Sequence, residues 1–137
     1  MLFVFSFGLQ NIGRFRVSED KEGISKLEEI VRLHNSGVVI IQCKNQAMAS
    51  PFVYSFLQSL CENYSKVIYI LESPLSFLLK HGQSLVIQKE VGVDVESFEE
   101  GLKDAFYIRA WVALERGEKG LYKLSFKHTE PQASESR

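Results

Sequence analysis

Apolar residues along the chain follow two rhythms: short β-branched or aromatic runs, and longer stretches with apolar positions three and four apart. Residues 2–8 (LFVFSFG) and 12–17 (IGRFRV) are short strand-like runs separated by Leu9-Gln10-Asn11, a pattern that predicts a hairpin. At residues 18–20 (SED) the period changes, and a hydroxyl followed by acids predicts a helix start. Ile24, Leu27, Ile30, Val31 and His34 then make one apolar stripe, and Gly37 suits the helix end. Residues 38–41 (VVII) have no alternation, as expected of a central strand covered on both faces.

The next stretch organises the chain. A polar loop over residues 44–49 leads to Ser50-Pro51, a hydroxyl at the N-cap and proline at the first helical position. Val53, Phe56, Leu57, Leu60 and Tyr64 share a face of the helix that follows. Residues 66–71 (KVIYIL) predict another buried strand, and Glu72-Ser73-Pro74 predicts another helix start. Leu75, Phe77, Leu78 and Leu79 are expected to point inward on that helix, and His81-Gly82 to end it. Residues 85–91 read as a strand, residues 95–114 as the longest helix, and residues 121–126 as a last strand or extended segment. This order predicts an α/β sandwich with a mixed four- or five-stranded sheet and helices mainly on one face. Residues 1–126 form one domain in this reading, with 107–126 as a carboxy-terminal extension and 127–137 as a polar, disordered tail.

Composition narrows the function classes. The 137 residues suffice for one core, and a hydrophobic fraction of 45% with 24% charged residues is ordinary globular composition. A formal net charge of −1 argues against an electrostatic nucleic-acid or membrane-surface binder. No apolar run approaches the ~18 residues of a spanning helix. Cys43 and Cys61 form no CxxC motif and have no paired histidines nearby, so they read as free thiols in a reducing compartment, the cytoplasm.

Candidate chemistry is sparse. No glycine-rich phosphate loop, metal-ligand spacing or nucleophile elbow is present, and nothing in the sequence requires a metal or cofactor. Arg14 and Arg16 alternate onto one face, either an anion-binding pair or the solvated side of an edge strand. Ser50 and Ser73 both follow strands, at helix starts that favour negative charge. A nucleophilic role for Ser50 needs a base, for which Lys44 and His81 are the nominees.

The segments just described resemble the STAS domain of sulfate transporters and anti-sigma-factor antagonists. The similarity lies in the 38–41 strand with its loop to Ser50, the 52–60 helix, residues 67–71 with Ser73-Pro74, residues 78–82 (LLKHG) and residues 95–102 (VESFEEGL). It covers residues 1–106. In the family an acid, two small hydroxyl residues and glycine open the helix. Here Met48, Ala49, Ser50 and Pro51 occupy those places, so only Ser50 matches, at the position phosphorylated in the antagonists. The resemblance implies a non-enzymatic regulatory or scaffolding domain that docks on a protein partner through the Ser50 loop and helix. A phosphate at Ser50 would add about −1.5 to −2 charges there. Met48, Phe52 and Tyr54 flank it; the two aromatics are either exposed contact area or core residues. Two other readings stand beside this one: a small-ligand or nucleotide-binding domain using Ser50 and Ser73, and a small hydrolase or nuclease assembled at a homodimer interface from Arg14, Arg16 and Ser50.

Overall fold

Five strands running the same way and one running against them form the sheet of this computed structural model, which describes residues 2–7, 21–43, 49–117 and 121–128. The elements are β1 (Leu2–Phe7), α1 (Lys21–Leu33), β2 (Ser36–Cys43), α2 (Ala49–Asn63), β3 (Val67–Glu72), β4 (Leu85–Glu90), α3 (Phe98–Tyr107), β5 (Val112–Arg116) and β6 (Tyr122–Lys127). The order across the sheet is β1-β2-β6-β5-β3-β4, with β6 antiparallel to both of its neighbours. The carboxyl ends of β1 to β5 therefore share one edge, which also holds the start of β6.

The mixed α/β architecture is as expected, with one more strand than the larger number foreseen. The added strand comes from residues 95–114, which are not one helix. Ser97 caps α3 by accepting the Glu100 N–H at 3.1 Å, and Arg109, at φ 58°, turns the chain just past Ile108. Trp111, Val112, Ala113 and Leu114 follow, all buried. Four consecutive buried positions fit a strand covered on both faces better than one stripe of a helix. The stretch read as an extension thus supplies β5 and β6 at the middle of the sheet.

Two layers cover the sheet. Leu27 and Val31 of α1 and Phe56, Leu57 and Leu60 of α2 pack with Val39, Ile41, Ile68, Ile70, Val112, Leu114 and Leu124. On the opposite face α3 sets Ala105 against Tyr69, Leu71 and Ala113. Gly101 permits that approach, since a Cβ there would lie 2.3 Å from Leu71 Cδ2. Phe106 is 75% exposed. In β2, Val39 and Ile41 are fully buried whereas Val38 and Ile40 are only half-buried, so just one face of that strand is sealed.

The helix expected after Ser73-Pro74 does not form. Residues 75–82 run as an irregular strap instead, with Leu75 and Leu79 packed on the core. Its backbone donors go to side chains: Leu75 N to Glu90 Oε1 (3.2 Å), Ser76 N to Glu72 Oε1 (3.1 Å), Leu79 N to Gln88 Oε1 (2.9 Å) and Lys80 N to Gln58 Oε1 (2.9 Å). Gln88 Nε2 returns a bond to Phe77 O at 2.7 Å. These acceptors do what the i→i−4 carbonyls of a helix would have done.

The second run of the expected hairpin, with Arg14 and Arg16, lies outside the described residues, as do residues 18–20, Lys44, Met48 and the 129–137 tail. β1 pairs in parallel with β2. No described helix is long and apolar enough to cross a membrane.

Candidate functional site

At the shared carboxyl edge the apolar strand β3 ends in a carboxylate. Glu72 is fully buried, and its two oxygens are saturated by donors. Oε1 accepts from Tyr54 OH and Ser76 N. Oε2 accepts from Tyr122 OH (2.9 Å), Ser76 Oγ (2.9 Å) and Arg116 Nη1 (3.3 Å). The last contact is an ion pair whose arginine side chain is 36% exposed. A buried carboxylate is tolerable only when paired and hydrogen-bonded in this way.

Ser50 belongs to this network. α2 begins at Ala49, so Ser50 sits within its first turn instead of capping it. Its Oγ bonds to Tyr122 OH and lies 3.3 Å from Ser76 Oγ. Because Tyr122 gives its single proton to Glu72, Ser50 donates to the tyrosine oxygen. The hydroxyl is thereby drawn inward, away from the role of exposed modification site. Neither His81 nor any lysine is among the hydrogen-bond partners of Ser50 within the described residues, and Lys44 lies outside them.

The tyrosines of the cluster are held neutral. Burial raises the Tyr54 hydroxyl far above its usual range, and the hydrogen bond and charge of Glu72 push it further. Burial likewise pushes Tyr122 up to about 12, with Glu72 adding to the rise and Ser50 and Arg116 opposing it. Neither ring can act as a base near neutral pH.

The structure thus brings Tyr54 onto Glu72 and joins Ser50 to it through Tyr122 and Ser76, and it leaves Phe52 elsewhere in the core. Phe52 is fully buried and Tyr54 is 4% exposed, so both are core residues and not the exposed contact area that one reading of them required. Their burial follows from α2 being enclosed on most of its circumference, with residues 52–54 buried in succession. The apolar surface beside the first turns of α2 comes instead from the strap. Phe77 is 47% and Leu78 78% exposed. With Pro51, Tyr54, Ser55, Gln58 and Leu79 they line a groove of about 420 Å³, where the Phe77 ring meets Tyr54 edge-on at 5.3 Å.

Ser73 is exposed and does not start a helix. It lines a cleft of about 640 Å³ with Pro74, Phe98, Glu115, Arg116 and Gly117. Sequence reasoning missed Glu72, Ser76, Arg116 and Tyr122. The available signal was Glu72 itself, an acid closing a five-residue apolar run without a break.

No group of three or more His, Cys, Asp or Glu residues able to hold a metal ion occurs among the described residues. No family model matches the chain. No curated protein matches it either. Among solved structures, the crystal structure of the pilus retraction motor PilT with bound ADP is similar to 52% of this chain and 21% of that chain, at 29% identity and a TM-score of 0.46. A superposition that loose assigns neither fold nor function.

Proposed function

We propose that this protein is a non-enzymatic docking domain, STAS-like in role, that binds a protein partner where the first turns of α2 meet the 75–82 strap. The observation that carries the reading is the exposed Phe77-Leu78 pair on a backbone already fixed by side chains of Glu72, Gln58, Gln88 and Glu90. A preorganised apolar ridge binds without the cost of ordering a loop, and aromatic anchors carry much of the energy in such contacts. The matching partner surface presents an apolar side chain to the groove between Pro51, Ser55 and Phe77.

Ser50 serves this surface from behind. A phosphate on its oxygen would be placed beside the Glu72 carboxylate, whose arginine partner is already engaged. We therefore read Ser50 as a support of the ridge, with any modification there acting by disrupting the cluster. The free, buried Cys61 fits a reducing compartment, and we assign the protein to the cytoplasm.

The test is site-specific photocrosslinking in cells from position 78, with position 99 on α3 as the control. A discrete adduct from position 78 and none from 99 supports the docking reading. The same adducts from both positions, or none from 78, would count against it.

A further inference from the structure

We infer that the hollow between α3 and strands β5 and β6 binds a small organic carboxylate with an aliphatic body, of the class of a medium-chain fatty acid. The hollow lies on the α3 face of the sheet and shares no lining residue with the docking groove beside α2.

The local sequence makes this space. In β6 the buried Tyr122, Leu124 and Phe126 belong to the core under α1 and α2. Ser125 and Lys127 alternate with them and therefore leave the sheet on the α3 face. Ser125 pairs across the sheet with Ala113 of β5, and two small side chains side by side leave a gap. On α3, Leu102 and Phe106 stand four positions apart on one face of the helix and wall that gap. Its volume is about 250 Å³. An apolar cavity of about 150 Å³ holds benzene, and at that ratio this one takes a body of about eight to ten carbon atoms.

The polar groups of the lining select the charge. Lys127 is the only charged residue that lines the hollow, and its exposed ammonium stands 5.6 Å over the Phe106 ring. That ammonium forms no ion pair among the described residues, and the Ser125 hydroxyl has no hydrogen-bond partner among them. Glu115 leaves the same face of the sheet, but it lies opposite Lys123 and does not line the hollow. Ser125 and Lys127 are two positions apart on one face of one strand, a spacing of about 7 Å that a single carboxylate can bridge.

An amine entering here would meet like charge, and a neutral molecule would fill the space without pairing the ammonium. A carboxylate accepts from Lys127 and Ser125, while its body covers Leu102, Ala113 and the ring of Phe106, which is 75% exposed.

Amide NMR titration of the whole protein with octanoate, octan-1-ol and octylammonium tests the assignment without any protein partner. Octanoate is expected to give saturable shifts at residues 102, 106, 113 and 125. It should bind about fivefold more tightly than the other two compounds, the scale of one partly exposed ion pair. Lys127→Gln changes an exposed side chain and should weaken octanoate about fivefold while leaving octan-1-ol unchanged. Ser125→Leu should fill the hollow and abolish octanoate binding. Equal affinity for the three compounds, an unchanged octanoate affinity in Lys127→Gln, or no saturable shift at these amides would overturn the inference.

Discussion

Glu72 holds Ser76 twice, accepting the backbone N–H on Oε1 at 3.1 Å and the side-chain hydroxyl close to Oε2 at 2.9 Å. They lie four positions apart, yet the segment between them is not helical. A carboxylate that closes strand β3 thereby fixes the start of the strap and sets Phe77 and Leu78 facing outward.

Replacing that carboxylate should loosen the strap and destabilise the protein. Glu72→Gln keeps the size but turns an amide NH₂ toward donors that need an acceptor. The expected loss is about 2–4 kcal/mol, the range for breaking a buried, charge-assisted network. Urea denaturation measures it, and a loss below about 0.5 kcal/mol would mean that the cluster is not a structural lock.

Ser50 gives a sharper contrast. Ser50→Ala removes the hydrogen bonds to Tyr122 and Ser76, at about 1–2 kcal/mol. Ser50→Asp brings a second carboxylate against Tyr122 and Glu72 and should cost more than the alanine variant. Were the hydroxyl an exposed switch, the two substitutions would be nearly equal in stability, so their melting temperatures decide the matter.

Gly101→Ala sets two effects in opposition. Alanine gains about 1 kcal/mol in helix propensity over glycine. Against that, the new Cβ meets Leu71 Cδ2 at 2.3 Å and Leu71 Cδ1 at 2.7 Å, and overpacking a filled core costs about 1–3 kcal/mol. The clash should win, giving a net loss of stability. Adding Leu71→Val should recover part of it in a double-mutant cycle.

High pH should unfold the protein through its tyrosines. The Tyr122 hydroxyl rises from 10.0 to about 12 on folding, so the folded state retains a proton that the unfolded state has lost in between. Its contribution is complete below pH 10 and disappears as pH climbs from 10 toward 12. Melting temperatures across that window should fall, and fall less steeply in Tyr122→Phe.

The sequence made some of this legible and hid the rest for identifiable reasons. Residues 67–71 announce a buried strand because no polar residue interrupts them. A helix within residues 95–114 is legible, but its end is masked because Ala110 to Leu114 continue an apolar run that suits helix or strand. The Ser73-Pro74 start signal misleads because the groups that defeat the helix, Gln58, Gln88 and Glu90, come from α2 and β4. Ser50 stood out on local grounds. Its true partner, Tyr122, lies 72 residues away, beyond the reach of any local pattern.

The central claim is that the strap presents Phe77 and Leu78 to a partner. Once the partner crosslinked at position 78 is isolated, calorimetric titration against wild type and Leu78→Asp tests that claim most directly. Leu78 is 78% exposed, so the variant should melt as wild type does while binding at least about tenfold more weakly. An unchanged affinity in a fully folded Leu78→Asp protein would contradict the account.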